Sequence, residues 1–421
     1  NIRTENSELR FTLSGSEGYG LDKSMANAIR RTLLTDIPTV AFRIDENVSN
    51  KDIKINTNTG SLHNELLLQR IGLLPIYLNP NSYMKNYLFK LKVQSDDVKR
   101  FSFITAENFE IYPLKPELQK RVDSILTEEN LSELDEILNS NNYENYDLNN
   151  PISEKEKEKI FRPYVFKRNK SKNYCLITEL KNTNSEQYKQ EIDLYGTPSL
   201  STAEENSRFQ AVSCSTYSFT IDENLVKKVW SDKVSLEKYT PEEEKDKFHK
   251  FYLEESERYY YRDSENEPYK YNFHIKSCHY MNEKDLLISS MQILIDRLDN
   301  LKSSFVNLLQ DKESCISVDK MNDILYHYSI NNEGHTIGNL IQSHIVRRCI
   351  SEECVLSFCG YKKTHPLENI IKLIVSINPN HKIIEETEQN KFQKITIFLM
   401  EEIETIKSDF KVLIKECEKS L

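Results

Sequence analysis

The chain has 421 residues, 38% hydrophobic and 29% charged, with 66 acidic against 56 basic side chains and a formal net charge of −10. That length leaves room for two or three domains, and the low apolar share predicts modest cores carrying long solvated insertions. The negative balance argues against autonomous nucleic-acid binding, which needs a surplus of Lys and Arg, and no run of about 18 apolar residues is present to span a membrane.

Leu9-Arg10-Phe11-Thr12-Leu13 alternates with period two and predicts a strand. Past a turn region at 15–20, Asp22 is placed to cap a helix whose Leu21, Met25, Ile29 and Leu33 fall along one face, and Pro38 stops it. Residues 39–44 predict the next strand, and 61–71 a short amphipathic helix ended by Gly72, with Pro75 beyond. From 76 to 207 the pattern changes to strand fragments and acidic, Asn-rich segments such as 127–137 and 140–150, which predicts an inserted domain.

The first pattern returns with a strand at 211–221, followed by a charged, partly helical block at 222–268 and a strand at 269–276. A long helix is expected over 283–309, with Leu286, Leu287, Met291, Leu294, Ile295, Leu298, Leu301 and Phe305 on its apolar stripe. Residues 310–322 lack periodicity and read as a polar linker with an r.m.s. span on the order of 20 Å. Beyond it the spacing predicts a strand at 324–330, a helix at 336–348, strands at 354–361 and 370–377, a charged turn, a strand at 394–400 and an amphipathic helix to about 418.

Two hexapeptides are variants of one another: Ser24-Met25-Ala26-Asn27-Ala28-Ile29 and Thr336-Ile337-Gly338-Asn339-Leu340-Ile341. Both read hydroxyl, large apolar, small, Asn, apolar, Ile. Each follows an alternating stretch and a Glu-Gly turn, Glu17-Gly18 or Glu333-Gly334, and precedes a basic pair and a second strand. A unit recurring once implies two copies of one fold element facing each other, a dimer interface within one polypeptide.

On the first helix Asn27, Arg30 and Arg31 lie off the apolar stripe. They form either a solvated face with Arg stems along the core or a docking face suited to carboxylates and carbonyls, and Asn339, Arg347 and Arg348 repeat the pattern. Eight Cys occur with no CxxC pair, which fits reduced thiols and not a disulfide framework. Cys349, Cys354 and Cys359 recur every five residues, wider than structural zinc sites prefer, and the last two would point to opposite faces of one strand. The nine His form no HExxH motif, no Gly-rich phosphate loop is present, and catalysis by this chain alone is not expected. The N-terminal residues lack a signal-peptide apolar region, so the chain is expected to be soluble and intracellular.

Asn27-Ala28-Ile29-Arg30-Arg31-Thr32-Leu33-Leu34, with Ile37-Pro38-Thr39-Val40-Ala41, resembles the signature helix and strand of an assembly protein of the large DNA-directed RNA polymerases, the larger alpha-like partner found as the eukaryotic third subunit and its archaeal equivalent. Leu62-His63-Asn64-Glu65 through Gln69-Arg70-Ile71-Gly72-Leu73-Leu74-Pro75-Ile76 is similar to that family's second motif. Asn206-Ser207-Arg208-Phe209-Gln210-Ala211-Val212 is similar to the segment where its inserted domain rejoins the sheet. Asn332-Glu333-Gly334-His335-Thr336-Ile337-Gly338-Asn339-Leu340 and Cys359-Gly360-Tyr361-Lys362-Lys363-Thr364-His365-Pro366-Leu367-Glu368 resemble the smaller alpha-like partner, the eukaryotic eleventh subunit and its archaeal equivalent.

The resemblance implies an α+β fold. Two alpha-like dimerisation units, each an antiparallel sheet packed with helices, would form an intramolecular pseudo-dimer, with a mixed insert in the first. The larger unit would cover 1–75 and 208–309, the insert 76–207, the linker 310–322 and the smaller unit 323–421. It further implies a non-catalytic platform for the two largest subunits, which hold the catalytic magnesium and the DNA, together with a small tenth- or twelfth-type subunit. DNA would then be met only through the complex, with no membrane, no homo-oligomer and no cofactor in this chain. Asn27, Arg30, Arg31, Glu65, Gln69 and Arg70 would face a large subunit, and Met25, Ile29, Leu33, Ile337, Leu340, Ile341 and Ile345 would pack at the internal interface.

The sequence departs from cellular relatives in fusing both partners, in lacking a Cys cluster in the insert, and in carrying the unaligned block 222–268. Fusion together with a residue bias of A/T-rich codons resembles the polymerases of large nucleocytoplasmic DNA viruses, which implies the host cytoplasm or the virion more than the nucleus. The alternatives are a free-standing scaffold of the same fold or a Cys/His metalloprotein.

Overall fold

The computed structural model describes residues 3–5, 8–15, 21–44, 52–83, 85–95, 100–127, 143–182, 189–237, 241–349 and 354–420. The expected turn at Glu17-Gly18 and most of the acidic segment 127–137 lie outside those residues. Two compact units emerge, one from 1–37, 212–277 and 282–421, the other from 38–211 and 278–281.

Strands β1 (Arg3–Glu5) and β2 (Glu8–Ser14) and helix α1 (Lys23–Thr35) open the first unit. The second unit runs through β3 (Thr39–Ala41), β4 (Ile53–Asn58), α2 (Asn64–Gly72), β5 (Tyr87–Gln94), β6 (Phe101–Thr105), β7 (Glu110–Pro113), α3 (Pro116–Thr127) and α4 (Glu154–Phe161). It ends with β8 (Tyr164–Val165), β9 (Lys172–Asn173), β10 (Leu176–Lys181), β11 (Glu191–Gly196) and β12 (Ser199–Ser201). The first unit resumes with β13 (Val212–Phe219), α5 (Glu223–Glu237), α6 (Pro241–Glu255), β14 (Lys270–Ser277) and α7 (Glu283–Leu309). Its remainder is β15 (Ile316–Lys320), β16 (Leu325–Asn331), α8 (His335–Cys349), β17 (Leu356–Lys363), β18 (Ile370–Ile377) and α9 (Glu388–Ser420).

Two four-stranded antiparallel sheets organise the first unit, in the orders β1-β2-β14-β13 and β15-β16-β18-β17. Matching β2, β13 and β14 with β16, β17 and β18 gives one topology twice: edge strand, strand, helix, strand, strand, helix. The first copy is opened at two connections. Between α1 and β13 it carries the whole of the second unit's main segment, and between β13 and β14 the charged block with α5 and α6. Each sheet has one apolar face, since Ile371, Leu373, Val375 and Ile377 alternate as buried residues along β18, and Phe11 stacks on its cross-strand partner Phe273 at 5.3 Å.

Five features differ from the sequence reading. Residues 394–400 are helical and belong to α9, because Ile395, Leu399, Ile403, Ile406 and Phe410 are buried at helical spacing, whereas Ile397, which suggested alternation, is exposed. The stretch read as a linker contains β15, which pairs with β16 from Ile316 opposite Ile330 to Lys320 opposite Tyr326. Helix α2 begins at Asn64 and not at 61, and Cys354 precedes β17, so only Cys359 lies on that strand. The compact second unit starts at Pro38, well before the expected boundary at 76, since β3 pairs with β12 and β4 with β11.

The second unit is built on the sheet β4-β11-β5-β7. Phe89, Leu91, Ile192 and Leu194 from that sheet meet Leu67 and Ile71 of α2 and Ile160 and Phe161 of α4 in one core. Ser153 and Glu156 form a capping box that starts α4, and the buried Lys157 ammonium donates to the Glu107 and Phe109 carbonyls at 2.7 and 3.3 Å.

Candidate functional site

The feature that needs both copies of the repeat lies between their helices. Helix α1 packs on α8, and α7 packs on α9, so each copy supplies two helices to a common seam within the first unit. Met25, Ile29 and Leu33 of α1 and Ile337, Leu340, Ile341 and Ile345 of α8 are all buried, each no more than 4% exposed. Burying an aliphatic side chain of this size is worth about 1.5–3 kcal/mol, so the apolar stripes carry the association.

Asp22 caps α1, accepting from the Met25 amide at 2.8 Å and from Ser24 Oγ at 2.7 Å. Its second oxygen accepts from Ser343 Oγ of α8 at 2.7 Å. In the opposite direction, Arg31 Nε of α1 donates to Thr336 Oγ1 at the start of α8, at 2.9 Å. Aligned on the two hexapeptides, Arg31 and Ser343 hold the same position. Each therefore reaches the N-terminus of the other helix, the reciprocity expected of an interface with an approximate two-fold axis.

Among the described residues, four further ion pairs join the copies. Arg297 of α7 donates to Asp36, just past α1, at 2.7 Å and to Glu333, just before α8, at 2.5 Å. Burial pushes the Glu333 carboxyl above its ordinary range, against the lowering effect of Arg297. Lys302 of α7 bonds Glu404 of α9 at 2.7 Å, and Lys407 of α9 pairs with Asp299 of α7. Hydrogen bonds from Lys302 and Lys407 hold the Glu404 carboxyl down to about 2. Arg347 of α8 donates to Asp263 of the charged block at 2.6 Å, with the Asp263 side chain 1% exposed. Ion pairs of this kind fix register more than they add stability, because desolvation offsets much of their attraction.

A cavity of about 70 Å³ lies where Asp22, Asp263, Leu340, His344, Arg347 and Ile406 meet, which suits a few waters and no organic ligand. Among the described residues, no three His, Cys, Asp or Glu side chains are placed to hold a metal ion, and no helix is long and apolar enough to cross a membrane.

The polar residues singled out from the sequence fall in both compact units. Asn27 and Arg30 are half-buried on α1, where Arg30 Nε donates to Asn27 Oδ1 at 3.0 Å, while Arg31 turns toward α8. Glu65, Gln69 and Arg70 are exposed on α2 of the second unit, where Arg70 donates to the Leu176 carbonyl at 3.1 Å. Asp22, Ser343, Arg297 and Asp263 were not anticipated as seam residues. Extending the hexapeptide alignment by two positions would have exposed Arg31 and Ser343 as equivalents; nothing local marks Asp263.

Comparison with known proteins gives two matches to family models described as the RNA polymerase Rpb3/Rpb11 dimerisation domain, one over 19–298 and one over 326–416. Among similar proteins, a subunit of DNA-directed RNA polymerases I and III from Dictyostelium discoideum is 32% identical over 104 residues, 25% of this chain and 24% of the relative. Its human counterpart is 33% identical over 78 residues, 18% of each chain. The DNA-directed RNA polymerase subunit Rpo3 of Methanocaldococcus jannaschii is 31% identical over 88 residues, 21% of this chain and 42% of the relative. The aligned stretches thus span less than half the length of these relatives. With one model covering more than half of the sequence and a second following it, the chain belongs to the RNA polymerase Rpb3/Rpb11 dimerisation-domain family and carries that domain twice.

Proposed function

We propose that this chain is the assembly platform of a DNA-directed RNA polymerase, in which the larger and smaller alpha-like partners are joined in one polypeptide. The observation that carries the reading is the reciprocal seam, Arg31 to Thr336 and Ser343 to Asp22, formed between two matches to one dimerisation-domain family. Joining the partners replaces bimolecular assembly with an effective concentration in roughly the millimolar range, which fixes their ratio during synthesis. An obligate interface of separate partners would bury about 2,000 Å² or more.

On this reading the chain has no active site of its own. It presents the polar side of α1, with Asn27, Arg30 and Arg31, and the exposed side of α2, with Glu65, Gln69 and Arg70, to the two largest subunits, and it also binds a small tenth- or twelfth-type subunit. Magnesium and DNA are held by the large subunits. The fused arrangement and the residue bias support a large DNA virus as the source, with the enzyme working in the host cytoplasm or carried in the virion. The test is a nucleotide-incorporation assay on the chain alone and on the chain reconstituted with the two largest subunits. Incorporation by the reconstituted complex only is expected, and incorporation by the isolated chain would refute the platform role.

A further inference from the structure

Within a chain of net charge −10, residues 162–178 contain Arg162, Lys167, Arg168, Lys170 and Lys172 and no Asp or Glu, a local charge of +5. This segment includes the hairpin β8–β9, in which Tyr164 pairs with Asn173 and Val165 with Lys172, closed by the Phe166 amide donating to the Ser171 carbonyl at 3.0 Å. Every residue from 164 to 173 is exposed. A strand lying on a core hides alternate side chains, but here Tyr164, Val165 and Phe166 are consecutive and stay 64%, 48% and 44% exposed. Leu176, three residues past the hairpin, is 48% exposed. Tyr164 and Phe166 set their rings edge to face at 5.0 Å on one side, with Val165 on the other.

Some of the charge is already used: Arg162 lies over the Tyr77 ring at 4.3 Å, and Lys172 pairs with Glu158. Lys167, Arg168 and Lys170 make no ion pair with the described residues. The hairpin thus offers an apolar wedge on both faces with three cations at its tip. Aromatic side chains and Arg at the centre of a contact, with charge at the edge, are what a protein interface selects. Nucleic acid suits it less well, because aliphatic Val165 and Leu176 gain little from stacked bases and the rest of the chain repels phosphate.

We infer that the 164–173 hairpin is a docking element that inserts into an apolar groove rimmed by carboxylates on another protein subunit of the assembly. This rests on the assembly role proposed above. The experiment reconstitutes the full chain with the two largest polymerase subunits, joins amines to carboxylates with a zero-length carbodiimide, and maps the links by mass spectrometry. Links from Lys167 or Lys170 to Asp or Glu of one other subunit are expected. Tyr164→Asp with Phe166→Asp should weaken retention of that subunit at least tenfold while leaving the melting of the isolated chain unchanged, because neither side chain is buried. Lys167→Glu, Arg168→Glu and Lys170→Glu together should remove much of the salt dependence of that retention. Links from other parts of the chain with none from the hairpin would overturn this inference and leave the platform role standing. Failure of the unaltered chain to retain either large subunit would overturn the platform role itself. Photocrosslinking of Tyr164 to a template oligonucleotide in place of a subunit would identify a nucleic-acid contact and overturn the inference.

Discussion

Arg347 of α8 donates through Nη2 to Oδ2 of Asp263 at 2.6 Å, tying the helix of the second copy to the charged block inserted in the first. The other carboxylate oxygen of Asp263 accepts from the Glu265 and Glu267 amides at 3.0 and 2.9 Å, so one side chain both builds its own turn and crosses the seam. Arg347→Ala removes the counter-charge of an almost wholly buried carboxylate and should destabilise the chain by about 3–5 kcal/mol. Asp263→Asn should cost less, since Arg347 is 21% exposed and can turn toward water. A double-mutant cycle in urea checks this; simple additivity would place the two groups in independent environments.

Ile341→Asp puts a carboxylate at a 2%-exposed position on α8, the helix that packs on α1. A loss of several kcal/mol is expected, on the order of 3 or more, and calorimetry should show the first unit melting early. Arg30→Glu with Arg31→Glu should behave in the opposite way. The double variant gives up the Arg31 bond to Thr336, worth on the order of 1 kcal/mol, so melting should fall far less than in Ile341→Asp while retention of the large subunits is lost.

The small residue at the third position of the second hexapeptide has a specific neighbour. A Cβ on Gly338 would sit 2.6 Å from Cδ2 of the Tyr361 ring on β17. Gly338→Ala should therefore cost about 1–3 kcal/mol through overpacking, despite the better helix propensity of Ala. Adding Tyr361→Leu should recover part of that loss, and a melting series of the three variants measures it.

In the second unit two buried groups respond to pH with opposite sign. Burial pushes the Asp52 carboxyl up to about 6, although Ser199 Oγ and the Arg43 amide donate to it, both at 2.6 Å. Burial, aided by the Arg162 cation, pulls the His279 imidazole down to about 4. For Asp52 the folded state holds a proton that the unfolded state has lost between about pH 4 and 6, so this contribution falls as pH rises. For His279 the unfolded state binds the extra proton between about pH 4 and 6.5, so this contribution rises with pH. The two nearly cancel. Asp52→Asn should raise the melting temperature at pH 7 and expose a rise in stability from pH 4 to 6.5; a flat profile in that variant would mean that His279 is not held neutral by burial.

Much of the fold was written locally. The stripe from Leu286 to Phe305 on α7 and the alternation along β18 depend only on spacing, and the structure places both elements where that spacing predicts. Residues 394–400 misled because β-branched and aromatic side chains were read at period two, while the partner that decides the matter, α7, is distant in sequence. Burial of the apolar stripes on α1 and α8 was legible because hydrophobic faces must be covered. Its polar bridges were not, since Asp22 with Ser343 and Asp263 with Arg347 acquire meaning only once two helices are placed against each other.

The most direct measurement is co-expression of this chain with the two largest polymerase subunits of the same source, followed by gel filtration and native mass spectrometry. The account predicts one copy of the chain in a stable complex with both large subunits, with no separate smaller alpha-like partner required, and loss of that complex on Ile341→Asp. Elution of the folded, unaltered chain by itself, with the large subunits assembling without it, would contradict the account.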